Sequence, residues 1–550
     1  MQDFLRNYNQ IKMKQTFPEL ILFFLLLILN ISAAFLYNLS NEIALMIPIR
    51  LGAALINGMG VSLFLTLIVK YVRKYFKIGI SPFLIGIMWI LLVVECFLLL
   101  NFYTLLTPSV VMVILETNHS EASEFFASYF NAKTWGMLFF IIVLSILVFH
   151  YRRKIYNMPL PAFFKKKSVL WSMCIAILIS YIGLTYYVTQ VRHMTSYQML
   201  TGMERLWHSS KTALNDRIEY KKYKKMVLQD PPIVTRNKSD VPYVVIILGE
   251  SLSKWHMNAY GYQLLTTPYL NRRMKNGESY RFDNVCTPRT VTSEAIRQIM
   301  TFYSDKSDKS WYYYHTLPAV MKAAGYYTCW LSNQDSFTIG DNNSTAGIAS
   351  TSSVVEFAHQ RHASEERYGY FDGDLLPLLE KHLDKKDPKK FICLHLMGSH
   401  RRYTNRYPSE FNRFGIDDIE KEAGVEIKRT ISEYDNSVLY NDFVCEEVIK
   451  RLIKKDAIVF CFPDHGEEVY DTRNMCGHSL DNPSAPMREI PFWIWTSDSF
   501  RENHLLLSER IRSKVLQSFN TANFIHTVMD VCGIETEQYQ YTESLFYSGN

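Results

Sequence analysis

The chain has 550 residues, of which 48% are apolar, and a formal net charge of +6 at pH 7. So small a charge gives no argument for nucleic-acid binding, and the length leaves room for more than one domain. Long apolar runs fall almost entirely before residue 192, so we expect the N-terminal part of the chain to occupy a different environment from the rest.

Five apolar segments of the N-terminal part are long enough to cross a bilayer, which takes about 20 residues each. Basic residues cluster before the first segment and in the loops after the second and fourth, so the positive-inside rule predicts a cytoplasmic N-terminus. A soluble protein with buried helices is the alternative, and it does not explain this charge asymmetry. The five predicted spans are residues 17–38, 49–71, 79–102, 134–151 and 169–189.

The sequence therefore divides into a transmembrane domain of five helices (1–190), a polar connector (191–240) and an extracytoplasmic domain (241–550). In the extracytoplasmic domain, short β-rich apolar runs alternate with helical patterns. This alternation predicts an α/β domain around a largely parallel central sheet. The predicted strands are residues 242–249, 326–331, 391–397, 457–462 and 490–495.

Polar residues follow two of the predicted strands directly. Glu250 and Ser251 follow the first strand, and Asp464 and His465 follow the run IVFCFP. Enzymes with α/β sheets bind ligands at the carboxyl ends of their strands. Taken separately, each pair has a simpler structural interpretation, because such residues also cap the next element.

Hydroxyl and imidazole side chains occur near the other strand ends. Thr287, Thr290 and Thr292 lie just before or at the start of a predicted helix, where a hydroxyl is usually a cap but can also be a nucleophile. His395 lies within a strand, where a core histidine is the simpler interpretation. Glu250, Asp464, His465 and Thr290 together would form a tetrahedral zinc site with its own nucleophile.

At these motifs the sequence resembles the membrane-bound phosphoethanolamine transferases, which include the mobile colistin resistance enzymes. The resemblance covers essentially the whole chain and implies an N-terminal five-helix transmembrane bundle plus an α/β alkaline-phosphatase/sulfatase-like domain. The shared motifs are GES, GY at 261–262, TTP at 266–268, the threonine near 290, LHLMGSH, SEYDNSVLYND and PDHGE.

The resemblance also implies roles for individual residues. Zn²⁺ would be bound by Glu250, Thr290, Asp464 and His465, and Thr290 would carry the phosphoethanolamine group transiently. Three histidines, His395, His400 and His478, would lie near the substrate phosphate or a second zinc ion. His400 or His478 would be the general acid, and Glu467 would be an auxiliary metal ligand.

Donor binding is implied for the segment VILETNHSEA, where Thr117 and Glu121 would contact the ethanolamine group. The alternative is an amphipathic helix at the membrane surface whose polar face is only solvated. Asn333 would contact the substrate phosphate, in a position where many relatives carry a lysine.

The sequence departs from the family pattern in two further places. Cys286 is present, but its usual disulfide partner position is occupied by Ile296, so we expect no bridge there. Val113 replaces an asparagine of the membrane-loop motif.

The resulting expectation is a monomeric inner-membrane enzyme with its catalytic domain in the periplasm and no nucleic-acid partner. It would transfer phosphoethanolamine from phosphatidylethanolamine to a lipopolysaccharide acceptor, lipid A or core, through a phosphothreonine intermediate.

Three alternatives remain open. A phosphoglycerol transferase of the lipoteichoic-acid-synthase type would share the anchor, the metal and the threonine. A sulfatase would use Cys286, although the arginine of its signature comes one residue early here, at Arg289. A catalytically inactive membrane sensor would not need the intact metal positions.

Overall fold

The computed structural model describes residues 17–40, 47–117, 119–156, 167–186, 200–226, 231–334, 344–359, 371–479 and 482–547. The chain forms two compact units. One contains Met1–Ile114 and Tyr129–Leu214, and the other contains Leu115–Ser128 and Asn215–Asn550. The segment with Thr117 and Glu121 thus belongs to the same unit as the C-terminal domain.

Eight helices occupy the described part of the chain up to Met226. They are α1 (Phe17–Ser40), α2 (Ile47–Phe76), α3 (Ser81–Phe102), α4 (Pro108–Glu116), α5 (His119–Tyr129), α6 (Ala132–Tyr156), α7 (Lys167–Tyr186) and α8 (Gly202–Met226).

Four of these helices, α1, α2, α3 and α6, contain a stretch that is long and apolar enough to cross a membrane. The fifth predicted span falls in α7, where the apolar stretch Trp171–Leu184 is shorter. The apolar N-terminal helices are confirmed, and the count of five spans remains a prediction.

A buried ion pair joins α3 and α8 within the first unit. Arg205 donates from Nε to Glu95 Oε1 at 2.5 Å and from Nη2 to Glu95 Oε2 at 2.6 Å. Its remaining nitrogen, Nη1, donates to the carbonyl of Leu200. A carboxylate inside an apolar span is costly unless it is paired, so this contact explains how α3 accommodates Glu95.

The C-terminal domain contains the strands and the remaining helices. The strands are β1 (Val234–Asn237), β2 (Tyr243–Gly249), β3 (Ser279–Phe282), β4 (Val285–Cys286), β5 (Tyr327–Ser332), β6 (Val354–Phe357), β7 (Lys390–His395), β8 (Ala457–Pro463), β9 (Glu468–Val469), β10 (Cys476–Gly477), β11 (Phe492–Thr496), β12 (Phe519–Asn520) and β13 (Ile534–Thr536). The helices are α9 (Pro268–Lys275), α10 (Thr292–Ile299), α11 (Leu317–Ala323), α12 (Ser344–Ala349), α13 (Leu376–Leu383), α14 (Val425–Leu452), α15 (Ala485–Arg488), α16 (Asp498–Asn503), α17 (Leu505–Ser513) and α18 (Phe524–Cys532).

Seven strands form the central sheet, in the order β3-β11-β8-β2-β7-β5-β6. The strands β8, β2, β7, β5 and β6 run parallel, whereas β11 is antiparallel to both of its neighbours. The sheet is therefore mixed, because the predicted strand at 490–495 corresponds to β11 and runs against the others.

The sheet is covered on both faces, which explains its nearly unbroken apolar strands. Along β2, Val244 and Ile246 belong to one apolar cluster, and Val245 and Ile247 belong to the cluster on the opposite face. This alternation follows from the two-residue period of a strand. The core thus fixes β2 from both sides and holds its carboxyl end in place.

Candidate metal centre

Two adjacent parallel strands end at the same level of the sheet. Gly249, the last residue of β2, is in register with Pro463, the last residue of β8, so Glu250 and Asp464 leave the sheet side by side. The amide of Asp464 donates to the carbonyl of Gly249 at 3.1 Å, which holds the two ends together. Sheet register alone therefore brings these two carboxylates together.

His465 completes a buried group with these carboxylates. Its Nε2 lies 3.2 Å from Glu250 Oε1 and 3.6 Å from Asp464 Oδ2. One ligand atom from each of the three residues lies within 4.8 Å of the others, and all three residues are buried. The predicted grouping of Glu250, Asp464 and His465 is thus present in the structure.

Local hydrogen bonds leave ligand atoms of this group available. His465 Nδ1 donates to the carbonyl of Gly466 at 2.9 Å, so Nε2 is the ring nitrogen that faces the carboxylates and would bind a cation once it loses its proton. Asp464 Oδ1 accepts the amide of His465 at 2.7 Å. Asp464 Oδ2 is buried and meets no hydrogen-bond donor among the described residues. Such atoms, an imidazole nitrogen and carboxylate oxygens, are the ligands that a zinc-like cation prefers.

The charges of the group depend strongly on one another. Burial and the Glu250 carboxylate raise the pKa of Asp464 well above its usual range. Burial opposes ionisation of Glu250, but the hydrogen bond and charge of His465 hold the Glu250 pKa well below its usual range. Burial would lower the pKa of His465, yet Asp464 and Glu250 raise it to about 10. A divalent cation would keep all three residues in their ligating forms.

The hydroxyl next to this group belongs to Thr292 and not to Thr290. Thr292 Oγ1 lies 3.1 Å from each carboxylate oxygen of Glu250 and 3.4 Å from His465 Nε2. Thr290 Oγ1 instead donates to the carbonyl of Ser479 at 2.7 Å. The assignment of the nucleophile to Thr290 stays a prediction, and Thr292, the first residue of α10, is a second candidate.

A second group of candidate ligands shares His465. One ligand atom each from His465, Glu467 and His478 lies within 4.8 Å of the others. His478 Nδ1 is 2.8 Å from Glu467 Oε2, and Tyr403 donates its hydroxyl to Glu467 Oε1 at 3.0 Å. Tyr403 is not predictable from the sequence, because no local pattern links it to Glu467, which lies 64 positions away.

The other predicted histidines lie around Glu250. His395 ends β7, is in register with Leu248, and is buried with no hydrogen-bond partner at Nε2 among the described residues. Burial lowers the pKa of His395 to about 4, against the opposing charge of Glu250. His400 follows in the next loop, and the charges of His400 and His478 both act on Glu250.

The predicted substrate contacts are less complete. Asn333 Nδ2 donates to Asp372 Oδ1 at 2.8 Å, so its amide hydrogen faces a protein carboxylate. Thr117 is half-buried in the segment Leu115–Ser128, and Glu121 lies in α5 with its side chain outside the described residues.

The chain is similar in sequence to known proteins. Residues 242–534 match the sulfatase family. Phosphoethanolamine transferase EptC of Escherichia coli K12 is 28% identical over 462 residues, which cover 80% of this chain and 77% of that relative.

Two solved structures are also similar. The C-terminal periplasmic domain of E. coli EptC, solved in complex with Zn, is 30% identical, covers 57% of this chain and 90% of that domain, and has a TM-score of 0.53. The integral membrane protein lipooligosaccharide phosphoethanolamine transferase A of Neisseria meningitidis is 19% identical, with a TM-score of 0.63 over 96% of this chain and 97% of its own. This second likeness shows that the fold is shared along nearly the whole chain.

Proposed function

Because the chain belongs to the phosphoethanolamine transferases of the sulfatase family, we propose that it transfers phosphoethanolamine from phosphatidylethanolamine to a lipopolysaccharide acceptor, lipid A or core. It is accordingly a phosphotransferase. The apolar N-terminal helices and the periplasmic domain of the E. coli relative support an inner-membrane protein whose catalytic domain faces the periplasm.

One observation carries the proposal: the Thr292 hydroxyl lies within hydrogen-bond distance of Glu250 in the buried group that includes Asp464 and His465. Glu250, Asp464 and His465 would hold Zn²⁺ together with the threonine hydroxyl. Bound zinc would lower the pKa of that hydroxyl and offset negative charge on the phosphate. The Zn complex of the E. coli EptC domain supports zinc over other cations.

Thr292 is the nucleophile in this proposal. Its hydroxyl already donates to Glu250, whereas the hydroxyl of Thr290 is engaged with a backbone carbonyl. In this proposal the Thr290 hydroxyl instead holds the backbone of Ser479 against the segment that precedes α10.

The reaction has two steps. In the first, Thr292 Oγ1 forms a bond to the donor phosphorus as the hydroxyl releases its proton to water. The bond from phosphorus to the diacylglycerol oxygen breaks, and His400 or His478, in its protonated form, donates a proton to that oxygen. In the second, an oxygen of the acceptor attacks the phosphorus of phosphothreonine, and Thr292 Oγ1 leaves and regains a proton.

Donor recognition involves other parts of the chain. Thr117 and Glu121 would contact the ethanolamine group, and the carboxylate of Glu121 suits an ammonium ion. The grouping of this segment with the C-terminal domain supports that role. His395 would lie near the transferred phosphate as a neutral imidazole. Because an anchored enzyme and its lipid donor share one membrane, their effective concentration is high.

The test compares Thr292→Val with the same change at Thr290 in cells that produce the full chain. Mass spectrometry of envelope glycolipids is expected to show a phosphoethanolamine mass gain with the wild type and with T290V, and none with T292V. A loss confined to T290V would assign the nucleophile to Thr290. If no glycolipid gains mass with the wild type, the proposed transfer is wrong.

A further inference from the structure

Asp372 is a buried carboxylate that the proposed chemistry does not use. It is 4% exposed and opens a short 3-10 turn, Asp372–Leu375, ahead of α13. Both of its oxygens are occupied by nitrogen donors. Oδ1 accepts the amide of Met397 at 2.8 Å and the side-chain amide of Asn333 at 2.8 Å, and Oδ2 accepts the amide of Gly398 at 2.9 Å.

Two of these donors belong to the turn that follows β7. This turn lies between His395, which ends β7, and His400, so its conformation sets the position of the His400 backbone. Gly398 has a φ of +55°, a conformation that residues with a Cβ rarely adopt. Consecutive amides of Met397 and Gly398 point at one carboxylate, which is how a buried anion stabilises a turn of this kind.

The same turn is pressed against the backbone of Glu250. Ser399 donates its amide to the carbonyl of Glu250 at 3.0 Å. A Cβ added at Gly398 would lie 2.5 Å from the Glu250 carbonyl oxygen and 2.7 Å from its nitrogen. The turn therefore cannot move closer to Glu250, and Asp372 holds two of its amides in place.

From these contacts we propose that Asp372 is a positioning residue for the metal centre. Through the turn at 397–399, it fixes the backbone of Glu250 and the backbone of His400. This inference rests on the proposed function, because it takes Glu250 to be a zinc ligand.

Asn333 is the one side-chain donor among the three donors to Asp372. An ionised Asp372 only accepts hydrogen bonds, so the NH₂ group of Asn333 faces it. The Oδ1 atom of Asn333 is buried and has no hydrogen-bond partner among the described residues. An acceptor oxygen does not bind a phosphate oxygen. Asn333 thus supports Asp372 with one of the two N–H groups of its side chain, and its contact with the substrate phosphate stays a prediction.

The experiment uses the purified full chain in detergent and the variant Asp372→Asn, which keeps the shape but places an NH₂ group against backbone amides. The matched control is Asp418→Asn, since Asp418 also accepts a backbone amide at a 3-10 turn, from Gly415 at 2.8 Å, but on the surface. Zinc affinity is measured by competition with a chelator, and kcat and KM are measured with phosphatidylethanolamine.

For Asp372→Asn we expect zinc affinity and kcat each to fall about 10- to 100-fold, the range for residues that orient metal ligands, with KM for the donor little changed. D418N should match the wild type in all three. If D372N has the zinc affinity and kcat of the wild type, this inference is wrong even if the melting temperature of D372N falls. The proposed function would not be affected by that result. A wild-type chain that binds no zinc would overturn the metal assignment as well.

Asn333→Ala covers the case in which D372N does not fold. It removes one of the three hydrogen bonds to Asp372 and leaves the turn itself intact. A smaller loss of zinc affinity, of several-fold, is expected, and no loss at all would overturn the proposal.

Discussion

His256 Nδ1 lies 2.6 Å from Asp435 Oδ1, and this buried ion pair ties the segment after β2 to the long helix α14. Tyr262 donates its hydroxyl to Asp435 Oδ2 at 2.9 Å, and Asp471 Oδ1 lies 3.2 Å from His256 Nε2. Asp435 belongs to the SEYDN motif, so part of that motif serves the fold and not the chemistry.

Breaking this pair should be costly. Asp435→Asn removes the charge of Asp435 and leaves the charge of His256 buried. Such a change destabilises a protein by about 3–5 kcal/mol. Urea unfolding of the full chain in detergent measures the change. The control is Glu426→Gln, which breaks the exposed pair between Glu426 and Arg429 and should cost less than about 1 kcal/mol. Equal losses in the two variants would contradict the prediction.

The same pair predicts a dependence of stability on alkaline pH. Burial would lower the pKa of His256, but the charges and hydrogen bonds of Asp435 and Asp471 raise it to about 10, against about 6.5 in an unfolded chain. The folded state therefore holds this proton more tightly. The stabilisation is complete below pH 6.5 and is lost as the pH rises through 10.

His256→Gln tests this pH dependence, since glutamine keeps an NH donor but does not titrate. The free energy of unfolding of the wild type should fall between pH 6.5 and 10, by at most about 1.4 kcal/mol per pH unit for one proton. In H256Q this slope should be smaller. An unchanged slope would show that other groups carry the effect.

Tyr403 should affect the second candidate metal site more than the first. Tyr403→Phe removes the hydroxyl that holds Glu467, so Glu467 and His478 become less ordered. Calorimetric zinc titration should show about tenfold weaker binding at the second site and no change at the first. Tyr407→Phe is the control, because the hydroxyl of Tyr407 interacts with Asn412 and Asn436, which belong to neither candidate metal group. Equal weakening of both sites would argue against two separable positions.

The cysteine of the sulfatase alternative gives a further prediction. Cys286 lies in β4, paired with Asn520 of β12, and contributes no ligand atom to either candidate metal group among the described residues. Cys286→Ser should therefore leave transferase activity close to that of the wild type. Complete loss of activity, with normal zinc content, would favour chemistry at residue 286.

The grouping of Glu250, Asp464 and His465 is predictable from sequence because a buried parallel strand is visible as an apolar run and its end is visible as the first charged residue. The choice of Thr290 over Thr292 came from the family resemblance and stays a prediction. Residues two apart in an extended segment face the same side, so spacing alone favours neither. Which threonine contacts Glu250 depends on where α10 begins.

Other parts of the site depend on contacts between distant segments. Asp372 and Tyr403 act on residues 26 and 64 positions away, which no local pattern reveals. The direction of β11 was not predictable either, because strand composition does not encode whether neighbours run parallel. The mixed sheet follows from the tertiary path of the chain.

The pair between Glu95 and Arg205 also bears on how the protein is made. The two residues are 110 positions apart, so α3 emerges from the ribosome and meets the membrane long before its partner is synthesised. Until α8 arrives, Glu95 has no arginine to compensate it in an apolar span, which is costly. The membrane-embedded helices therefore reach their final arrangement only after the segment that follows them has been translated and has returned to α3.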